Sequence, residues 1–105
     1  MSRVTTKRST PVHPGDILLH DFLEPMNLSQ YRVAKDCGFS PRHVNELVKR
    51  MRAVTAPTAL ALGKYFGVDP QWWMNMQAHY ELEVARRSTV VARKVAQVKT
   101  NSNAA

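Results

Sequence analysis

The chain of 105 residues is long enough for one domain, and its composition, with 44% hydrophobic and 22% charged residues, is that of a globular protein. Fifteen Lys and Arg against eight Asp and Glu give a net charge of +7, which makes a polyanion such as nucleic acid the first partner to consider. No apolar run approaches the ~20 residues of a membrane span, and the basic start lacks the apolar segment of a secretory signal. These features favour a cytoplasmic protein with no membrane partner.

The first twelve residues are rich in Ser, Thr and basic residues and lack hydrophobic periodicity, which predicts a flexible arm over residues 1–12. A first helix is expected after His13, because Pro14 suits a first helical turn, where its missing N–H costs nothing. Apolar residues follow at helical spacing. The helix should end near Glu24, since Pro25 disfavours helical geometry in the residue before it.

Capping residues predict four more helices. Ser29, Ser40, Thr55 and Asp69 are the expected N-caps. Glycines should end two of these helices, at Gly38 and Gly67. The predicted buried stripe of helix four consists of Ala59, Leu60, Gly63 and Phe66.

No segment alternates with period two over enough length to demand a strand, and only residues 89–98, rich in valine, fit either a helix or a strand. The sequence therefore predicts an all-α domain of five short helices over residues 13–85. A basic tail, residues 86–105, follows it, and a partly ordered helical extension is the favoured interpretation of this tail.

Residues 29–49 have the pattern of a helix-turn-helix unit, two helices joined by a tight glycine turn. Ala34 supplies the small residue where the helices cross, and Gly38 lies four positions later. Val44 and Leu47 supply two apolar side chains, one turn apart, that face the first helix of the unit. Because residues 42–52 carry four basic residues and one acid, the second helix is predicted to face the polyanion.

Motifs on both sides of this unit resemble those of the HigA (VapI) antitoxins, which are Xre-type, lambda-repressor-like helix-turn-helix proteins. The matching motifs are His13-Pro14-Gly15, Leu28-Ser29-Gln30, Val54-Thr55, Phe66-Gly67, Asp69-Pro70, Trp73 and Gln77-Ala78-x-Tyr80. The resemblance covers about residues 13–82. It implies a lambda-repressor-like fold, a homodimer that represses its own operon at a palindromic operator in double-stranded DNA, and binding of a HigB-type mRNA-cleaving toxin.

The chain departs from the family in one turn. Where the family usually has Asn-Gly-Lys-Arg after the third helix, this chain has Lys49-Arg50-Met51-Arg52. Without the glycine, Arg50 or a neighbour must make the turn at a cost of roughly 1 kcal/mol.

The first residues of the third helix are expected to approach base edges in the major groove. Arg42 fits guanine, or alternatively a phosphate, and Asn45 fits adenine, each worth about 1–3 kcal/mol of discrimination if it contacts a base. His43 is interpreted either as a base contact or as an exposed histidine. Ser40 and Pro41 complete this group.

Other polar residues are predicted to hold the DNA backbone. Gln30 resembles the position at which related repressors bind a phosphate, since the start of a helix favours an oxyanion; the alternative is an ordinary surface glutamine. The remaining predicted contacts are Lys49, Arg50 and Arg52, assisted by Tyr31 and Arg32.

Helix five carries the predicted dimer interface. Neighbours on a helix lie about 100° apart, so Trp72 and Trp73 cannot both face one core. The predicted interface residues are Trp72, Trp73, Met76 and Tyr80.

No metal-ligand spacing, phosphate loop or nucleophile motif is present in the sequence, so no catalytic centre, metal site or cofactor is predicted. Cys37 is interpreted as a small, inert apolar residue. Two alternatives to the antitoxin hypothesis remain: a protein-interaction module whose helix-turn-helix no longer binds DNA, and a stand-alone regulator without a toxin partner.

Overall fold

A computed structural model describes residues 10–101, in which all regular structure is helical. Helix α1 begins as an α-helix and continues as a π-helix, and five α-helices follow it. Their bounds are Pro14–Ile17 and Leu18–Leu23 (α1), Gln30–Cys37 (α2), Pro41–Val48 (α3), Ala56–Phe66 (α4), Pro70–Arg87 (α5) and Thr89–Ala96 (α6). The all-α prediction is confirmed: α1 to α5 correspond to the five expected helices, and α6 is a helical extension within the predicted tail. Most of the predicted arm, residues 1–9, lies outside the described residues.

The helix boundaries follow from local chemistry. The side chains of Ser29, Ser40 and Asp69 each accept a hydrogen bond from a first-turn backbone N–H, and such caps contribute about 1 kcal/mol each. Thr55 takes the same position before α4 but accepts no capping hydrogen bond from a backbone N–H, and its hydroxyl donates to Thr58 Oγ1 at 3.4 Å instead. Gly38 and Gly67 end α2 and α4 in the left-handed conformation, with φ of 76° and 70°.

The core lies between helices α1 to α5, each of which contributes buried apolar side chains. Its largest fully buried side chains include Trp73, Leu18, Leu23, Leu47 and Leu62. The prediction for Leu60 is wrong, because its side chain is 62% exposed and Leu62 is buried instead. The buried face of α4 combines residues 58–59 with residues 62–63, which share one side of a helix with 3.6 residues per turn.

The His-Pro-Gly motif joins α1 to α3. The buried ring of His13 caps α1, since Nδ1 accepts from Gly15 N at 2.8 Å and the carboxylate of Asp16 accepts from His13 N at 3.0 Å. A Cβ at Gly15 would lie 1.7 Å from the carbonyl oxygen of Leu47. Only glycine therefore allows α1 to approach α3 at this point, and the motif fixes the position of α3 against α1.

Gln77 fixes the connection between α3 and α4. Its side chain is buried on α5, and its Oε1 accepts from the backbone N of Val54 at 2.8 Å. Its Nε2 donates to Glu81 at 2.8 Å. One side chain thus satisfies a buried backbone donor in the loop that follows α3.

The valine-rich segment after α5, which fitted either a helix or a strand in the sequence, forms helix α6. Every residue of α6 is exposed, and the described chain is elongated, with extents of 52 × 34 × 24 Å. None of the helices of residues 10–101 is both long enough and apolar enough to cross a membrane.

Candidate nucleic-acid interface

Helix α3 packs on the core through its apolar side chains, and its first turn is exposed to solvent. Val44 and Leu47 are completely buried against the core, and α3 packs on both α2 and α1. Ser40, Pro41 and Arg42 at its start are exposed. The apolar side chains anchor the helix, and its polar side chains face solvent.

Two predicted contact residues form a bridge between the helices of the unit. Asn45 Nδ2 donates to Gln30 Oε1 at 3.1 Å, with both side chains partly buried. Gln30 is the first residue of α2, where backbone N–H groups have no partner within the helix. This hydrogen bond holds the amide of Asn45, which is suited to a base edge, beside the amide of Gln30, which is suited to a phosphate.

One carboxylate on the exposed face of α3 binds two arginines, Arg42 on α3 and Arg52 in the loop that follows it. Arg42 Nε donates to Glu46 at 2.9 Å, and Arg52 donates to the same carboxylate from Nε at 3.0 Å and from Nη2 at 2.8 Å. These hydrogen bonds, that of Arg42 first, lower the pKa of Glu46, which therefore stays ionised near neutral pH. The two predicted DNA contacts lie together, with Glu46 between them.

Arg50 makes the turn that lacks a glycine, as expected, with a φ of 64°. Its guanidinium is bound to Asp16 on α1, with contacts of 3.1 and 3.2 Å from Nε and 2.9 Å from Nη2. Partial burial raises the pKa of Asp16, but the hydrogen bonds from Arg50 and from His13 N outweigh it and hold that pKa low. The structure thus ties Arg50 to α1, whereas neighbouring Lys49 is exposed at the end of α3.

His43 is not the exposed histidine that one interpretation of the sequence expected, and its contact with a base stays a prediction. Its half-buried ring stacks on Phe39, with centroids 4.4 Å apart, and its Nε2 lies 3.3 Å from Thr58 Oγ1. Burial, followed by the charge of Arg52, lowers the pKa of His43. The ring is a packing element beneath the polar face, and it is not freely exposed.

The two assisting residues lie on α2. The side chain of Tyr31 is 65% exposed. Arg32 Nε donates to Asp36 at 2.9 Å, and Tyr65 donates to the same carboxylate at 2.6 Å. Tyr31 is therefore available to a ligand, and the bond from Arg32 to Asp36, like that from Arg42 to Glu46, uses only Nε.

The predicted dimer residues form two sets. Trp73 is the inner set, and the outer set consists of Trp72, Met76 and Tyr80. Trp73 is completely buried, so its inclusion in the interface is wrong, because a side chain that fills the core cannot contact a second subunit. Trp72 is 38% exposed, as the argument from helix geometry requires of one tryptophan. Met76 and Tyr80 are half-buried, and the ring of Tyr80 packs edge-on against His13 at 4.7 Å.

Side chains with reactive or metal-binding potential are dispersed. Among residues 10–101, no three His, Cys, Asp or Glu side chains are grouped so as to hold a metal ion. Cys37 is half-buried, and burial raises the pKa of its thiol, which disfavours the reactive thiolate.

Comparison with known proteins places this geometry in a family. A helix-turn-helix family model matches residues 19–73. The chain is 46% identical to "Virulence-associated protein I" of Dichelobacter nodosus over 83% of this chain and 82% of that protein. It is 35% identical to "Antitoxin HigA-1" of Vibrio cholerae over 73% of this chain and 71% of that protein. The chain belongs to the HigA-type, Xre-family helix-turn-helix antitoxins.

Solved structures agree with this assignment to the HigA type. The antitoxin HigA of Pseudomonas aeruginosa, solved with the higBA promoter, superimposes with a TM-score of 0.79 at 32% identity, over 85% of this chain and 96% of that one. A HigA-family antidote protein of Coxiella burnetii gives a TM-score of 0.79 at 30% identity, over 88% and 98%. The antitoxin GraA bound to its operator gives 0.81 at 26% identity, over 93% and 98%.

Two features of this HigA-type site were missed in the sequence. The i, i+4 spacing of Arg42 and Glu46, inside a stretch with one acid, was an available signal for their ion pair. The pairing of Arg50 with Asp16 joins residues 34 positions apart. Its only sequence signal was the missing glycine, which indicated strain but no partner.

Proposed function

We propose that this HigA-type chain is a dimeric, sequence-specific DNA-binding antitoxin that acts in the cytoplasm, represses its own operon and neutralises a HigB-type toxin. The observation that carries the DNA-binding part is the presentation of α3, buried through Val44 and Leu47 and exposed through Arg42. Relatives with the same fold have been solved with a promoter or an operator. The repression and the toxin partner are supported by membership of the antitoxin family.

The proposed DNA contacts fall into two groups, those to bases and those to phosphates. Arg42 and Asn45 are proposed to read bases, because a guanidinium fits guanine and an amide fits adenine. Lys49, Arg52 and the amino-terminal end of α2 at Gln30 are proposed to hold phosphates. Ser40, Pro41, Tyr31 and Arg32 border this surface, and Arg50 and His43 support it from behind.

The dimer interface is proposed to use the outer set of α5. Trp72 and Met76 line a shallow, largely apolar cavity of about 410 Å³ together with Val12, Asn75 and His79. A two-fold axis through this region gives each dimer two copies of α3, as a palindromic operator requires. Tyr80 does not line this cavity and packs on His13 instead.

The DNA-binding proposal is tested by replacing cations on α3. A double variant, Arg42→Ala with Lys49→Ala, should lose binding to a duplex taken from the region upstream of its own coding sequence, measured by fluorescence anisotropy. If the dimer neutralises about eight phosphates, the log affinity of the parent should fall with log salt with a slope near −7.

The matched control is Arg93→Ala with Lys94→Ala on α6, which removes the same charge at a site away from α3. DNA binding that is lost in the first variant and kept in the control supports the proposal. Equal affinity in both variants and the parent contradicts it and favours the protein-interaction module. Rescue of growth when the chain is co-expressed with the product of a neighbouring reading frame tests the toxin partner, and absence of any such toxin favours the stand-alone regulator.

A further inference from the structure

One carboxylate on the outward face of α3 is shared by two arginines. Glu46 is the single acid among residues 42–52, and it accepts hydrogen bonds from both Arg42 and Arg52. Its side chain is 19% exposed, whereas those of Arg42 and Arg52 are 84% and 43% exposed. A negative charge therefore lies directly behind the cations that face DNA under the proposed function.

The two arginines are held differently. Arg42 uses only its Nε for the bond to Glu46, so the bond does not occupy the terminal nitrogens. Those nitrogens form the pair of donors that fits O6 and N7 of guanine. Arg52 uses both Nε and Nη2, which holds the guanidinium by one edge. The geometry leaves Arg42 able to bind a base while it keeps its bond to Glu46.

We propose that Glu46 is a positioning residue that sets the DNA specificity of α3. This inference rests on the proposed function. On an operator, Arg42 contacts a base with its terminal nitrogens and stays oriented by Glu46. On unrelated DNA, phosphates compete with Glu46 for Arg42, and the carboxylate that loses this partner repels the polyanion. Glu46 therefore weakens non-specific binding more than operator binding.

The test is Glu46→Gln, which keeps the shape of the side chain and removes its charge. Affinity is measured for two duplexes of equal length, one from the region upstream of the coding sequence and one with that sequence scrambled. We expect the preference for the first duplex to fall roughly tenfold, mainly because the scrambled duplex binds more tightly. The salt dependence on the scrambled duplex should steepen by about 2 in slope per dimer, since each subunit releases a cation to phosphate.

The matched control is Glu83→Gln on α5, where Glu83 accepts from Arg86 at 2.9 Å. This variant makes the same change in net charge away from α3. A loss of preference in Glu46→Gln but not in Glu83→Gln supports the inference. Equal changes in the two variants, or an unaltered preference in Glu46→Gln, overturn it.

Two further outcomes would overturn the role proposed for Glu46. If Glu46 had only a structural role, Glu46→Gln would lower the midpoint of thermal unfolding and weaken binding to both duplexes alike, which would overturn the inference. If the parent protein itself does not prefer the upstream duplex, the proposed function fails, and the role assigned to Glu46 falls with it.

Discussion

At the scale of single residues, Arg50 combines an unfavourable backbone with a favourable side chain. Its φ of 64° costs a residue with a Cβ about 1 kcal/mol relative to glycine. Its guanidinium makes a two-pronged ion pair with Asp16, and a pair this exposed contributes at most about 1 kcal/mol. The two effects are similar in size, which explains how the turn tolerates the loss of the family's glycine.

Replacement of Arg50 separates these two effects. Arg50→Gly loses the ion pair and relieves the backbone, so its free energy of unfolding should stay within about 0.5 kcal/mol of the parent. Arg50→Ala loses the ion pair and keeps the strained backbone, so it should be about 1 kcal/mol less stable than Arg50→Gly. Urea denaturation measures both. Equal stability of the Gly and Ala variants would contradict the strain at this turn.

At the scale of the element, α1 depends on a buried histidine as its cap. Burial lowers the pKa of His13, and although Asp16 opposes this effect, the ring is favoured in its neutral form. Only a ring with an unprotonated Nδ1 accepts the hydrogen bond from Gly15 N. The start of α1 is therefore sensitive to protonation, whereas the serine caps of α2 and α3 are not.

The pH dependence of stability follows with a definite sign. Because the pKa of His13 is lower in the folded chain than the unfolded value of about 6.5, the unfolded chain takes up a proton first as the pH falls. The contribution of His13 is fully present above pH 6.5 and is lost as the pH falls below it. His13→Asn, which keeps a capping oxygen, should flatten the decline in the free energy of unfolding between pH 6.5 and pH 5.

The control for this prediction is His20→Asn. Glu24 raises the pKa of the exposed His20, first through a hydrogen bond and then through its charge, so the contribution of His20 has the opposite sign. It is present below pH 6.5 and is lost as the pH rises. His20→Asn should therefore not flatten the decline. A decline that persists unchanged in His13→Asn would show that the cap is not its source.

Elements whose cause is local could be predicted from the sequence, and features that depend on tertiary contacts could not. Capping serines set the starts of α2 and α3, and left-handed glycines set the ends of α2 and α4, because cap and helix are adjacent in the chain. The wrong assignment of Leu60 arose because α4 is apolar around much of its surface, so its pattern does not choose a buried side. At the site, the exposure of Arg42 was predictable, whereas the attachment of Gln77 to Val54 spans 23 positions and has no local signal.

At the scale of the whole molecule, two adjacent tryptophans on α5 have different roles, one in the folding core and one in the proposed dimer interface. Trp73 fills the core, and Trp72 packs against it with ring centroids 5.0 Å apart while remaining 38% exposed. The proposed dimer interface therefore lies directly over the folding core. An operator with two half-sites needs both subunits. A substitution that prevents dimerisation should therefore weaken DNA binding while the domain stays folded.

The matched variants Trp72→Ala and Trp73→Ala test this separation. Trp73→Ala should lower the free energy of unfolding by about 3–5 kcal/mol, because it leaves a large cavity in the core. Trp72→Ala should cost roughly 1–2 kcal/mol, since part of the ring already contacts water. In sedimentation experiments Trp72→Ala should dissociate to a folded monomer, and in fluorescence anisotropy it should bind the duplex from the region upstream of the coding sequence more weakly. A Trp72→Ala protein that remains a dimer, with the affinity of the parent for that duplex, would place the two-fold axis on another surface.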